Sequence, residues 1–349
     1  MKNNEMVRSI LGLLQAKELS RAGAKTLLSM LEETASAYAN DRIAIVGLAA
    51  RMPPGVNADE FWKCLRKGED LVRPVPQGRA ADVDHYYGNT PDEEFGGKRT
   101  WDLAYLDRID LFDAAHFGIG AAEAELMDPA HRMFLEVSAE ALQDAGLDGD
   151  AIRGTKTAVF SGNPGFHYAE AVAEPSSIAV TGNLPDFMAA RVAYLYDLHG
   201  PVLSVQAACA SSLVAVHEGI RALRERSCDL AIVGGATVFS FPGNIRTNPM
   251  TAAGIVSPTE RCRPFSEGGD GIGRGEGVVV FVLARIKDAE ERRLPVRAVL
   301  LGSAVNNDGK SAALTAPNPA AHTALLLEAW SNAGVRPEDI GYIEAHGTG

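Results

Sequence analysis

The sequence of 349 residues is poor in cysteine and in aromatic residues. It contains four cysteines, and phenylalanine, tyrosine and tryptophan together make up 7% of the chain. The cysteines stand singly, at Cys64, Cys209, Cys228 and Cys262, so no disulfide framework is predicted. Because no secretory leader pattern is present either, we expect a cytoplasmic protein.

Positive charge and membrane-length apolar runs are scarce as well. The formal net charge at pH 7 is -12, with 33 lysines and arginines against 45 aspartates and glutamates. A chain this acidic is not expected to bind the phosphate backbone of nucleic acids as its main task. No apolar run approaches the roughly 20 residues that cross a bilayer, so we expect no membrane span.

The amino-terminal segment has a helical pattern of its own. Residues 3–36 place leucine, isoleucine and methionine at helical spacing on either side of a polar break at 17–20. The pattern predicts two amphipathic helices, with Ser20 as N-cap of the second. A hairpin this small cannot bury its apolar face alone, so it either folds back on the main domain or binds another chain. We therefore divide the chain into a docking-like helical hairpin at 1–40 and a second domain at 41–349.

From Arg42 onward, short β-branched runs alternate with amphipathic helical patterns. The predicted strands are RIAIVGLAA at 42–50, 155–162, 201–208, 229–238, 277–286, 296–305 and 340–345. The predicted helices are 124–146, 211–226 and 319–334. Buried strands that alternate with helices predict a layered α/β fold with a largely parallel sheet. The segments 51–100 and 240–275 are irregular, and we expect them to shape a binding surface.

One cysteine differs from the others in its surroundings. Cys209 lies in SVQAACASSLVAVHEG, between a predicted strand and a predicted helix. At such a turn backbone N–H groups converge and the helix dipole is positive, which suits a nucleophile. Small neighbours let a substrate approach the sulfur, and the Cys209 amide could stabilise an oxyanion. The alternative, a small buried filler, is what we expect of Cys64, Cys228 and Cys262.

The segment IGYIEAHGTG at 340–349 runs a predicted strand into a histidine, His346. Gly347 and Gly349 permit a tight turn that leaves the imidazole exposed at the carboxyl end of the strand. Parallel α/β sheets bind their ligands at that edge. Weaker contexts surround the other histidines, which are His85, His116, His131, His167, His199, His217 and His322.

Metal and nucleotide sites are not predicted. None of the histidines has metal-ligand spacing with another histidine or with a cysteine. The glycine-rich segment GIGRGEG at 271–277 lacks the strand-and-helix register of a nucleotide site, and we expect it to form a tight turn.

Six ordered segments resemble the β-ketoacyl synthases, and among them the ketosynthase domains of modular polyketide synthases. They are IAIVGLAARMPPGVNADEFWKCL, FDAAHFGIGAAEAELMDPAHRMFLEVSAEALQDAG, VQAACASSLVAV, CRPFSEGGDGIGRGEG, SAVNNDGKS and YIEAHGTG. The resemblance extends from about Arg42 to Gly349. It implies a thiolase-like α/β/α/β/α fold of two similar halves, usually as a homodimer.

The resemblance also implies an acyltransferase of the ketosynthase type in polyketide or fatty acid biosynthesis. Cys209 would take an acyl chain from the phosphopantetheine arm of an acyl carrier protein. A decarboxylating malonyl-type extender would then attack this thioester to give a 3-ketoacyl thioester. His346 matches the family's first active-site histidine, which helps to stabilise the enolate. The arm is a substrate carrier, so no tightly bound cofactor is implied. The hairpin at 3–36 resembles docking helices that recruit an upstream synthase subunit.

Two departures from the family pattern affect these expectations. Gln206, Ala207 and Ala210 stand where the commonest nucleophile segment has Asp, Thr and Ser, which indicates a subfamily difference. The family's domain continues past the HGTG motif with a lysine, a second active-site histidine and a glycine-rich oxyanion segment, so we expect its carboxyl-terminal part to be missing here. Two alternatives remain: a catalytically incompetent fragment that acts as a docking or interaction protein, and a thioester hydrolase that uses Cys209. The hydrolase would need an activated water and an orienting Asn or Asp.

Overall fold

The computed structural model describes residues 2–29, 41–95, 99–163, 168–171, 176–243, 254–313 and 316–348. Within these ranges the strands are β1 (Ile43–Arg51), β2 (Val72–Arg73), β3 (Leu103–Ala104), β4 (Thr157–Gly162), β5 (Val202–Val205), β6 (Leu230–Thr237), β7 (Gly277–Arg285) and β8 (Ala298–Leu300). The helices are α1 (Lys2–Gln15), α2 (21–29), α3 (Ala58–Lys67), α4 (Gln77–Tyr86), α5 (Ala121–Leu126), α6 (Pro129–Asp144), α7 (Gly149–Ile152), α8 (Ser177–Asn183), α9 (Asp186–Leu195), α10 (Ser211–Arg224), α11 (Ile286–Glu291) and α12 (Pro319–Ala333).

The centre of the fold is a six-stranded mixed sheet in the order β5-β4-β6-β7-β1-β8. β4 pairs in parallel with both β5 and β6. β7 is antiparallel to β6 and to β1, and β8 is antiparallel to β1. The prediction of a largely parallel sheet is therefore wrong for β7 and β8. The apolar pattern of a strand buried on both faces is the same in either direction, so it does not encode the strand's orientation.

Helices cover both faces of this sheet and give it two cores. α6 and α9 pack on one face, and α10 packs on the other. Neighbouring residues of one strand face opposite cores: Val159 of β4 belongs to the α6 side, and Phe160 belongs to the α10 side. The layered α/β organisation predicted from the sequence is confirmed.

The helix boundaries follow local capping chemistry. The Asp128 carboxylate accepts the N–H of Ala130 at 2.7 Å, and Pro129 occupies the first helical position of α6. The predicted helix at 124–146 is therefore divided into α5 and α6. The predicted helices at 211–226 and 319–334 are confirmed as α10 and α12. Gly334 ends α12 in the left-handed conformation, with φ of 66°.

The amino-terminal hairpin has the predicted break. Residues 16–20 separate α1 from α2, and the Ser20 hydroxyl accepts the N–H of Gly23 at 3.1 Å. Ile10 and Ala24 are buried, whereas Leu11, Leu13 and Leu27 remain 40–44% exposed. Residues 30–40, which include the end of the predicted hairpin, lie outside the described residues.

Four predictions about local structure are wrong. The segment 51–100 is not irregular throughout, because it contains the helices α3 and α4, and Asn57 caps the first of them. Residues 340–345 are not a strand; they are exposed, and no described strand lies beside them to share backbone hydrogen bonds. The strand predicted at 296–305 is reduced to β8 for the same reason. The segment 271–277 is extended rather than a tight turn, since Ile272 bridges to Val256 and Gly275 bridges to Ala104.

A buried ion pair ties this extended segment to α4. The Glu276 side chain is fully buried, and the Arg79 guanidinium, 4% exposed, donates to both of its oxygens at 2.6 and 2.9 Å. Glu276 also accepts the N–H groups of Leu106 and Phe239, each at 2.8 Å. Arg79 donates to the carbonyls of the same two residues, at 2.8 and 2.6 Å. Four segments distant in sequence therefore meet at one charge pair.

We predict that Glu276→Gln destabilises the protein by about 3–5 kcal/mol, because it leaves the Arg79 charge buried without a counterion. The measurement is the urea midpoint of the variant against the wild type. Glu60→Gln is the control, because it removes a carboxylate from an exposed pair with Lys63. Its midpoint should equal that of the wild type. Equal midpoints for both variants would contradict this account of Glu276.

Candidate functional site

The carboxyl ends of the three parallel strands place Cys209 at one edge of the sheet. β5 ends at Val205, a short 3-10 turn covers Ala208–Ala210, and α10 begins at Ser211. Cys209 lies in the middle of this turn and is exposed. The predicted position at a strand-to-helix turn is confirmed, and the sulfur is open to a substrate.

The backbone just before Cys209 has an unusual conformation. Ala208 has φ of +49°, in the left-handed region that residues other than glycine adopt at a cost. The Ser211 hydroxyl accepts the N–H of Ala207 at 2.9 Å and donates to the carbonyl of Ala208 at 2.7 Å. The sequence did not predict that Ser211 bonds to the turn before Cys209, because a serine near a helix start predicts a helix cap.

Glycines on the sheet make room for the beginning of α10. A Cβ atom at Gly162, the last residue of β4, would lie 2.6 Å from the carbonyl carbon of Ser211 and from the amide nitrogen of Ser212. A Cβ atom at Gly235 of β6 would lie 2.8 Å from the Cβ of Ser212. The start of α10 therefore rests directly on the sheet backbone.

The amino terminus of α10 is suited to developing negative charge. Its N-cap is Ala210, which makes no side-chain capping bond. The first N–H groups of a helix have no partner within the helix, and the helix dipole is positive there. The N–H of Ser211 donates to the Ala208 carbonyl of the preceding turn, so an oxyanion formed beside Cys209 would meet the helix dipole and the N–H of Cys209.

His346 lies in an exposed segment outside the sheet. Gly347 follows with φ of +56°, and a Cβ there would contact the Pro264 ring at 3.6 Å. Within the described residues, neither the Cys209 thiol nor the His346 imidazole makes a hydrogen bond, so no hydrogen bond joins the two. Gly349, the second glycine of the predicted turn, lies outside the described residues.

The other three cysteines were predicted to be small buried residues, and they differ in how far they are buried. Cys228 is fully buried in the α10-side core, and burial raises the pKa of its thiol to about 12. Cys64 is half-buried. For Cys262 the prediction is wrong: its sulfur is exposed and accepts the N–H of Gly273 at 3.1 Å. The reason is that the extended segment at 271–277 passes beside it.

His167 lies outside the described residues, and among the described histidines His131 has a clearly shifted pKa. His131 on α6 is 2% exposed, and burial, followed by the charge of Arg191, lowers its pKa to about 3. It is therefore neutral at physiological pH. No group of three or more metal-ligating side chains occurs in the part of the chain that the structure describes. No helix in that part is long and apolar enough to cross a membrane.

Comparison with known families matches most of the chain. The model for the beta-ketoacyl synthase, N-terminal domain, matches residues 40–289. The model for the beta-ketoacyl synthase, C-terminal domain, matches residues 297–349. Both matches agree with the six segments on which the resemblance was based.

Curated relatives are large polyketide synthases. Mycoketide-CoA synthase of Mycobacterium tuberculosis is 43% identical over 88% of this chain, which corresponds to 7% of that protein. Erythronolide synthase EryA3 of Saccharopolyspora erythraea is 41% identical over 89% of this chain and 10% of its own length. The chain thus spans a small part of these relatives.

Solved structures of ketosynthases share the fold. The ketosynthase from module 6 of the bacillaene synthase of Bacillus subtilis 168 superposes with a TM-score of 0.74 at 34% identity, over 88% of this chain and 51% of that one. The oxazolomycin ketosynthase domain OzmH KS7 of Streptomyces albus JA3453 has a TM-score of 0.77 at 36% identity, over 88% and 53%. The thiolase-like fold class implied by the sequence is confirmed.

We predict that Gly162→Ala destabilises the protein by about 1–3 kcal/mol, because the added methyl group overpacks the start of α10. Thermal unfolding followed by circular dichroism measures this effect. Gly78→Ala is the matched control, since a Cβ there meets no atom within 4 Å and its helical position favours alanine. If Gly162→Ala and the control have the same melting temperature, α10 does not rest on β4 as described.

Proposed function

Because this chain belongs to the β-ketoacyl synthase family, we propose that it condenses acyl units as part of a polyketide synthase, with Cys209 as nucleophile. The observation that carries the proposal is the exposed thiol at the uncapped amino terminus of α10. The substrate class is an acyl thioester on the phosphopantetheine arm of an acyl carrier protein. The reaction is of the 3-oxoacyl-[acyl-carrier-protein] synthase type.

In the first half-reaction the Cys209 sulfur attacks the thioester carbonyl. A carbon–sulfur bond forms to Cys209, and the bond to the phosphopantetheine sulfur breaks, so the carrier thiol leaves with a proton. The tetrahedral intermediate carries its negative charge next to the backbone N–H groups at the start of α10. Covalent transfer divides a difficult condensation into two easier steps.

In the second half-reaction a malonyl-type extender loses CO₂ and leaves a carbanion. The carbanion attacks the acyl group on Cys209, a carbon–carbon bond forms, and the Cys209 sulfur leaves. We assign His346 to stabilisation of the enolate, on its match to the family's HGTG motif. Its exposed position leaves it accessible to the extender.

We further propose two protein partners. The exposed leucines of the hairpin, among them Leu13 and Leu27, suit docking of an upstream synthase subunit. β5 is the edge strand of the sheet, and Leu203 on it and Leu213 on α10 are 50% and 74% exposed. An apolar sheet edge of this kind suits a homodimer. A cytoplasmic location is supported by four cysteines that are all unpaired.

We predict that incubation with an acyl thioester adds one acyl group to the wild-type protein and none to Cys209→Ala. Intact-mass spectrometry measures the adduct. With a malonyl-loaded carrier protein, His346→Ala should still be acylated but should release less 3-ketoacyl product, by about 100-fold or more. Cys262→Ala is the control, because it removes another exposed thiol and should change neither step.

The outcomes separate the alternatives. Label retained in Cys209→Ala would refute Cys209 as the nucleophile. Free acid released faster than acyl-protein accumulates would favour a thioester hydrolase. A folded wild-type protein that takes no label would favour a docking protein without catalysis.

We predict reciprocal effects of apolar-to-charged substitutions on the two proposed interfaces. Leu13→Glu combined with Leu27→Glu should abolish binding to the carboxyl-terminal segment of an upstream subunit and leave self-association unchanged. Leu203→Glu combined with Leu213→Glu should do the converse, because a charge on either apolar surface opposes its burial. Sedimentation velocity measures both properties. If neither pair changes either property, both interface assignments are wrong.

A further inference from the structure

The Ser211 side chain links the two residues that precede the nucleophile. We propose that Ser211 is a positioning residue, which holds Cys209 in its working orientation through two hydrogen bonds. The Ser211 hydroxyl accepts from the N–H of Ala207 at 2.9 Å and donates to the carbonyl of Ala208 at 2.7 Å. We call this pair of hydrogen bonds the serine clip. The inference rests on the proposed function, since a positioning role needs a reaction at Cys209.

The clip spans a residue that is strained. Ala208 has φ of +49°, in the left-handed region that a residue with a Cβ adopts only at a cost. The two hydrogen bonds of the clip together offset this cost. Without them, Ala208 relaxes toward negative φ. The peptide between Ala208 and Cys209 then rotates, and the direction of the thiol changes with it.

The position of Ser211 is itself fixed by the sheet on which α10 packs. It is 4% exposed, and its backbone lies so close to Gly162 that no side chain fits between them. The neighbouring Ser212 lies in the same way over Gly235 of β6. Through the clip, the positions of β4 and β6 therefore determine the positions of the residues before Cys209. A turn exposed to solvent on its outer side is held rigid from its inner side.

The same arrangement keeps the Ser211 side chain from capping α10. A serine at a helix start commonly caps the first N–H groups of that helix. Here the Ser211 hydroxyl bonds to the preceding turn instead, and the N-cap, Ala210, offers no side-chain acceptor. The N–H of Ser211 itself donates to the carbonyl of Ala208. The donor that we assign to the oxygen of a thioester is the N–H of Cys209. One hydroxyl thus orients the nucleophile without occupying the oxyanion donor.

The test compares Ser211→Ala with the wild type in three measurements. Acylation of Cys209 by a small acyl thioester should slow by about 10- to 100-fold, because a nucleophile misplaced by about 1 Å loses this much. Alkylation of Cys209 by iodoacetamide should stay within about threefold, since a small reagent follows the exposure of the thiol. Hydrogen exchange of the amides at 206–210 should accelerate by about tenfold or more, since the clip no longer protects this turn.

Three variants serve as controls. Ser212→Ala removes the neighbouring hydroxyl, which is not part of the clip, and should match the wild type in all three measurements. Ser211→Thr keeps a hydroxyl at the same position and should recover most of the acylation rate. Ala208→Gly removes the Cβ that makes positive φ costly, so in the Ser211→Ala background it should restore part of the rate.

The outcomes distinguish this proposal from the proposed function. Wild-type protein that is not acylated at Cys209 refutes the function, and the clip is then judged by hydrogen exchange alone. Ser211→Ala that acylates and exchanges like the wild type overturns the clip. Acylation and alkylation that fall by the same factor, with a lower melting temperature, also overturn it, because Ser211 would then be merely structural. If Ser211→Ala fails to fold, the single variant Ala208→Gly still tests the backbone strain at Ala208. A melting temperature of Ala208→Gly below that of the wild type would contradict the strain.

Discussion

The Glu276 carboxylate is the constraint on which the arrangement of the irregular segments depends. It stands immediately before β7, is fully buried, and is surrounded by donors from Arg79, Leu106 and Phe239. A buried charge is tolerated only when it is fully paired, so these segments have one mutual arrangement. The glycine-rich stretch at 271–277 is consequently extended. The loop that leaves β6 is fixed at Phe239, close to the edge where Cys209 lies.

The site is built by the absence of side chains as much as by their presence. Gly162 and Gly235 let α10 begin directly on the sheet, which brings the positive end of its dipole to the carboxyl ends of β4 and β6. Cys209 then lies where strand ends and helix start meet, on a turn whose backbone is held by Ser211. Cys209, the proposed nucleophile, is exposed, whereas Ser211 is buried.

The sequence predicted what depends on local pattern and missed what depends on contacts between distant residues. α10 and α12 fall within their predicted ranges, because apolar periodicity and Pro–Gly boundaries are local signals. The direction of β7 was not predictable from its apolar run. The strand at 340–345 was predicted wrongly, since a strand exists only with a partner. Arg79 and Glu276 lie 197 positions apart, and nothing in either local sequence indicates that they meet. Cys209 was recognised by its neighbours, whereas the role of Ser211 depends on a backbone angle.

The position of β1 in the sheet has a consequence for the folding of the chain during its synthesis on the ribosome. β1 is made long before its neighbour β7, which pairs Val278 with Arg51 and Arg285 with Ile43. At about 5 to 20 residues per second, synthesis of the intervening chain takes roughly 10 to 50 s. Throughout that interval an apolar strand has neither of its hydrogen-bonding neighbours, β7 and β8. Such long-range pairing makes folding slow and exposes the nascent chain to aggregation, and β1 joins the sheet late.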